Sequence, residues 1–315
     1  MESIVNTVLP VFGLIALGVA FARLKLIDAT TARGLSQFVF NLAIPALLFR
    51  TIVTMKAQEA TPFGLWIAFL GGLAVTWIVT AFASQKFESI SASGGAAASM
   101  AAGFGNLALL GTPLALAHYG QEAAVPVGLI LSIHAPILWF SATLHRELAR
   151  HSSAISIIGL ARELFVSLAQ NAIVLALLSA AIWRFTELGL HPVADRMLSM
   201  LSDASIPTAL FALGLSLATY SLKGQWSGMA VLIAMKMLLM PVLVFLAVRY
   251  LIFVPPFWAN IAVLLAAMPT GANAFVFAHR NEESVAAVSA AVAVGTGLAA
   301  VTVSLLLYLM DSGLI

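Results

Sequence analysis

Long stretches of this chain contain no aspartate, glutamate, lysine or arginine, among them Ser89 to Gln121, Ala123 to His145, Leu164 to Trp183, Tyr250 to His279 and Ser284 to Met310. Each is long enough for a helix of roughly 20 residues to cross a hydrocarbon layer of about 30 Å. Charged residues make up 9% of the chain, hydrophobic residues 62%, and the mean hydropathy is +1.04. A water-soluble protein could not hide that much apolar surface, so the partner implied first is the lipid bilayer. The net charge of +2 and the lack of a dense basic face argue against nucleic acid. Without cysteine the chain has no disulfides, thiolate metal sites or cysteine nucleophiles. The apolar run from Ile4 to Ala22 has no basic leader before it and is followed by Arg23 and Lys25, which reads as a retained first span.

Reading the apolar runs against their breaks predicts an all-α integral membrane protein with ten helices, near 3–22, 34–54, 62–83, 95–118, 123–144, 163–184, 196–220, 228–251, 257–279 and 284–310. The longest polar connection, Leu144 to Arg162, separates five helices from five. This sets a first repeat at 1–151 and a second at 152–315.

Two pairs of segments support duplication. NLAIPALLF at Asn41 to Phe49 and DASIPTALF at Asp203 to Phe211 lie 162 residues apart and share the Ile-Pro step at Pro45 and Pro207. AGFGNLALLGTPLALAHY at Ala102 to Tyr119 and AMPTGANAFVFAHR at Ala267 to Arg280 align on Ala-His at an offset of 161. Because five is odd, a second set of five helices runs the opposite way through the membrane, and the repeats are inverted. With the N-terminus outside, the inner side holds nine basic residues: Arg23, Lys25, Arg33, Lys86, Arg146, Arg150, Arg162, Lys223 and Arg280. The outer side holds five: Arg50, Lys56, Arg184, Arg196 and Arg249. That bias places both termini outside.

The second pair predicts interrupted helices at the fourth and ninth positions. Proline lacks an N–H and clashes with the carbonyl one turn back, so helix unwinding is expected around Pro113 and Pro269. Free backbone groups are tolerated at membrane depth only beside a cavity or inside protein. Exposed amides there favour an anionic group, and Asn106 and Asn273 add side-chain donors, with Thr112 and Thr270 beside them. Glycines in these segments also admit a packing role.

Other polar residues lie within predicted spans. Lys236 is costly at that depth, roughly 2.5–3.5 kcal/mol. It reads as a fixed charge facing the bundle, or as a side chain snorkelling to the nearer surface. Asp203 opens the second Ile-Pro copy where Asn41 opens the first; pairing with Lys236 or Arg196, proton carriage and helix capping all remain open for it. His134, beside Pro136, is a candidate ligand or proton carrier, or a residue bonded to a neighbouring helix. His118 and His279 read as interfacial. HRELARH at His145 to His151 lacks the His-Glu-x-x-His order of a metal site, and no Walker loop is present.

The segments NLAIPALLF, GNLALLGTPLALAHYG at Gly105 to Gly120 and AAMPTGANAFVFAH at Ala266 to His279 resemble the bacterial members of the auxin efflux carrier family, which includes malonate-type carriers and is related to the plant auxin exporters. The resemblance covers essentially the whole chain. It implies a fold similar to bile acid symporters and sodium/proton antiporters, with helices four and nine crossing at broken midpoints. It further implies a scaffold of helices 1, 2, 6 and 7 and a transport domain of helices 3–5 and 8–10 that moves as an elevator. Asn106 is implied as a carboxylate ligand and Pro113 as the crossover proline. Plant relatives read PQGIVPFVFA where this chain has PTGANAFVFA, so their second proline falls at Ala274 and only Pro269 remains to break the ninth helix. Plant members also carry charges in the third helix, whereas Trp66 to Phe82 has none.

The expectation is therefore a carrier for a small carboxylate, needing no cofactor or metal and allowing a homodimer through the scaffold. Asn106, Thr112, Pro113, His134, Thr270 and Asn273 would contact substrate, and Lys236 and Asp203 would supply charge or coupling. Asn41, Pro45, Pro207 and Pro269 would form scaffold or cavity wall. A passive channel or receptor using the same pocket is the alternative. An intramembrane enzyme would need a catalytic dyad that the sequence lacks.

Overall fold

The computed structural model describes residues 2–54, 61–150, 157–221 and 226–314. Lys56 and Lys223 of the charge count and His151 of the HRELARH segment lie outside them. The described residues form helices α1 (Glu2–Arg23), α2 (Ala29–Phe38), α3 (Ile44–Thr54), α4 (Pro62–Ser84), α5 (Ala96–Gly103), α6 (Thr112–Tyr119), α7 (Ala124–Ala149), α8 (Ile157–Ala169), α9 (Ala172–Phe185), α10 (Pro192–Leu217), α11 (Trp226–Ala234), α12 (Met240–Leu246), α13 (Pro256–Ala266), α14 (Ala272–Asn281) and α15 (Val285–Asp311).

Among the described residues seven stretches are long and apolar enough to span a bilayer: Asn6–Arg23, Thr30–Thr54, Pro62–Ser84, Gln121–Ala149, Pro192–Leu217, Trp226–Leu251 and Val285–Asp311. An eighth appears if the bent pair Ala161–Ala169 and Ala172–Phe185 is one span. The sequence predicts ten. The remaining two expected spans, the fourth and the ninth, are each divided into two short helices, α5 with α6 and α13 with α14. Outward-facing Leu9, Leu17, Ile78, Leu238, Val301 and Leu305 leave the apolar surface expected of lipid-facing helices.

Three of the prolines are accommodated by one local device. A wide π-turn precedes each by two residues: Val39–Ala43 before Pro45, Leu107–Gly111 before Pro113 and Met235–Leu239 before Pro241. The widened turn draws the preceding carbonyls away from the pyrrolidine ring, so the helix continues through the proline. Pro207, which stands in the same Ile-Pro step as Pro45, sits in α10 without such a turn.

The chain divides into two compact units. The first comprises 1–61, 107–132 and 169–219. Its central contact is α1 against α10, where Gly18 faces the backbone of Phe211 and Gly214 faces the carbonyl of Ile15. A Cβ at either glycine would collide with backbone, so the two helices meet main chain to main chain. Phe21 and Phe211 stack edge to face beside this contact at 5.6 Å. Arg50 grips Asp195 with Nε at 2.6 Å and Nη2 at 3.2 Å. Asn41, Asp203 and Pro207 are exposed and Pro45 is half-buried.

The second unit comprises 62–106, 133–168 and 220–315. Here α4 packs on α5 and α12, and α14 and α15 pack on each other. Both backbone breaks described next belong to this unit.

Candidate functional site

Helix α5 ends at Gly103, and Phe104 to Asn106 run extended before the next turn begins. In the same way α13 ends at Ala266, and Ala267 to Gly271 are non-helical before α14. The two extended pieces lie antiparallel, with Gly105 opposite Thr270. Asn106 N–H donates to the Pro269 carbonyl and Gly271 N–H to the Phe104 carbonyl, each at 2.8 Å. Gly271 eases this approach, because a Cβ there would lie 3.0 Å from the Gly105 oxygen, tighter than an ordinary contact.

This arrangement revises two expectations. The fourth helix unwinds at Phe104–Asn106, not around Pro113, because the π-turn at Leu107–Gly111 absorbs that proline. Pro269 does lie within the second break, and Gly295 of α15 packs beside its ring, where an added Cβ would meet the proline at an ordinary contact distance of 3.4 Å. Further, the amides of Asn106 and Gly271 are not exposed to an anion, since each is satisfied by the opposite break.

The half-helices also leave carbonyls at their C-terminal ends, where the helix dipole is negative. Thr270 Oγ1 donates to the Ala101 carbonyl of α5 at 3.0 Å. Lys236 Nζ donates to the Ala266 carbonyl of α13 at 2.5 Å and approaches Met240 Sδ at 3.2 Å. Lys236 is fully buried, so its ammonium does not snorkel to a surface, and it pairs with a helix end and not with Asp203.

Among the described residues of this unit six buried side chains keep a polar atom without a partner, Ser89, Asn106, His134, Glu283, Ser284 and Thr302, and two of them, Asn106 and His134, lie at the first break. Asn106 is 6% exposed, and its Nδ2 has no hydrogen-bond partner. His134 is 2% exposed, with neither ring nitrogen hydrogen-bonded. Its imidazole is held between Phe104, at 4.8 Å, and Phe69, at 5.9 Å. The Gly105 carbonyl lies beside the ring without closing a well-aligned hydrogen bond. An unpaired buried polar group costs about 1–3 kcal/mol, so these atoms mark where a polar ligand would be rewarded.

The structure thus brings Asn106, Pro269 and Thr270 together directly, with His134 against the first break, Lys236 at the end of α13 and Asn273 half-buried as the second residue of α14. Thr112 and Pro113 belong to the other unit. Both are buried, and the Thr112 hydroxyl donates to the Leu107 carbonyl at 3.0 Å. Asn41, Pro45, Asp203 and Pro207 also belong to that unit.

A cavity of about 350 Å³ lies elsewhere in the second unit, among Trp139, Arg146, Glu163, Phe277 and Arg280, and none of the predicted site residues lines it. Beside it is a cluster that the sequence reading missed. The buried carboxylate of Glu283 accepts from Ser93 Oγ at 2.6 Å, Arg146 Nε at 3.1 Å and Arg150 Nη2 at 3.4 Å, all on Oε1. Its sequence signal was an acidic pair, Glu282 and Glu283, immediately before a charge-free run. Among the described residues no group of three histidines or carboxylates is placed to hold a metal ion.

An all-helical, membrane-spanning molecule with buried polar atoms at paired helix breaks has the makings of a transporter. The chain belongs to the membrane transport protein family, whose model matches residues 3–307, and this bears out the auxin efflux carrier resemblance. It is 31% identical to a protein of Rhizobium meliloti (strain 1021) named "Putative malonate transporter", over 99% of this chain and 98% of that one. It is a transporter and not an enzyme.

Proposed function

We propose that this protein is a secondary or potential-driven carrier of small organic anions, mono- or dicarboxylates, with malonate the first candidate. The observation that carries the reading is the buried, unpartnered Nδ2 of Asn106 at the junction of two broken helices. A carboxylate oxygen would accept from it, and the charge-assisted bond would be worth about 1.5–3 kcal/mol. The name of the Rhizobium meliloti relative supports a three-carbon dicarboxylate.

Alternating access of the elevator type is the mechanism we infer, with helices 1, 2, 6 and 7 of an inverted ten-helix repeat as scaffold and helices 3–5 and 8–10 as the moving body. In its favour, the chain separates into one unit holding α1–α3, α9 and α10 and another holding α4, α5 and α11–α15, while α6 goes with the first, α8 with the second and α7 is divided between them. The two repeats, a cytoplasmic-membrane location with both termini outside, and assembly as a homodimer through the scaffold complete the proposal. The charge asymmetry of the loops supports the orientation.

The test is counterflow in liposomes containing the purified protein. Labelled malonate should enter faster when unlabelled malonate is loaded inside, and Asn106→Ala should abolish the stimulation. Uptake without stimulation from the opposite side would instead indicate a passive pore.

A further inference from the structure

We propose that His134 takes up one proton as a carboxylate binds, so that substrate and proton cross the membrane together. The inference rests on the carrier reading above and concerns the same broken-helix site. A neutral imidazole has one N–H donor and one acceptor nitrogen, whereas an imidazolium has two donors. What faces His134 is acceptors. The Gly105 carbonyl takes no part in the bonds that join the two breaks, which use the carbonyls of Phe104 and Pro269. A carboxylate held by Asn106, the next residue, would be the second. Two acceptors across one ring are satisfied only when both nitrogens carry hydrogen.

The surroundings leave His134 as the group that gains the proton. From α4 it meets Phe69, and from the first break Phe104 and Gly105. Lys236, beyond the second break, is the charged group that acts on it and repels a second positive charge there, and among the described residues no carboxylate offsets it, so the negative charge that allows an imidazolium is the one the substrate brings. Along its own helix no charged residue occurs from Ala123 to His145. In the empty site the ring carries no net charge. On loading, a proton from water on the side of entry bonds to the imidazole lone pair, and the resulting imidazolium donates to the Gly105 carbonyl and to the substrate carboxylate. On release the same nitrogen returns its proton to water on the opposite side, and no electrons are transferred.

Purified protein in liposomes containing a trapped pH-indicating dye, given an inward malonate gradient, tests this. The expected result is interior acidification in step with malonate entry, at about one proton per malonate. In His134→Gln, which can donate from only one end, the proton-to-malonate ratio should fall to the background of protein-free vesicles even where malonate entry is slowed. A wild type that shows malonate counterflow but moves no protons overturns this inference and leaves the carrier reading intact. A His134→Gln variant that keeps the wild-type ratio also overturns it. Absence of counterflow in the wild type overturns both.

Discussion

Lys236 and Ala266 are 30 residues apart in sequence and joined by a 2.5 Å hydrogen bond from ammonium to carbonyl. The lysine therefore acts as a cap on a half-helix that ends inside the membrane, where no water is at hand to satisfy its last carbonyls. The positive charge and the negative end of α13 compensate each other, which makes a buried lysine tolerable in an apolar environment.

Removing that cap should be felt in stability before it is felt in binding. Lys236→Met fits the same volume but leaves the Ala266 carbonyl buried and unpaired, at a cost of about 1–3 kcal/mol. We expect thermal unfolding in detergent to move down by several degrees relative to wild type. An unchanged or raised unfolding temperature would mean that the relief of burying no charge outweighs the lost bond.

Asn106 should behave in the opposite way. Its backbone N–H, not its side chain, holds the breaks together, so Asn106→Ala should fold like wild type. Malonate affinity should drop by at least about tenfold, which corresponds to roughly 1.4 kcal/mol. Calorimetric titration checks the affinity, and an unfolding curve recorded without ligand checks the fold.

Glu283 anchors three donors from segments 137 and 190 residues away along the chain and is itself 5% exposed. Glu283→Gln should destabilise the protein by on the order of 2–3 kcal/mol. That is less than the 3–5 kcal/mol for breaking a fully buried pair, because Arg150 is half exposed. Guanidinium-free denaturation by heat, compared with Ser93→Ala, separates loss of charge from loss of one hydrogen bond.

Tyr220, just beyond α10, packs edge to face on Phe275 at 5.0 Å, and burial pushes its phenol up to about 12. Between pH 10 and 12 the unfolded chain has released this proton while the folded chain still holds it. Stability should therefore fall as pH rises through that window, by at most about 1.4 kcal/mol per unit. Tyr220→Phe should flatten the slope in unfolding curves recorded across it.

The residues explain what could be read in advance. Charge-free runs give the spans directly, because lipid admits little else. The interruption at Pro269 followed from the missing N–H of proline, and the paired offset of the two glycine-rich segments drew attention to both breaks. The first break falls elsewhere because Pro113 is absorbed by a π-turn that begins at Leu107, after the helix has already opened at Phe104, and nothing local to GTP distinguishes that turn from a rupture. The bond between Asn106 and Pro269, and those of Glu283 to Ser93 and Arg146, depend on partners brought close only by the fold. Residue types pointed to a polar centre. They did not reveal that its amides are already occupied and that its free atoms are those of Asn106 and His134.

Two peptide hydrogen bonds, Asn106 to Pro269 and Gly271 to Phe104, have a mechanical meaning as well. They join the interrupted middles of two helices through main chain, and the Thr270 hydroxyl adds a third link to the Ala101 carbonyl of α5. A push on the lipid-facing flank of α14 reaches α5 through that joint without bending a side chain, so this crossing moves as a single lever.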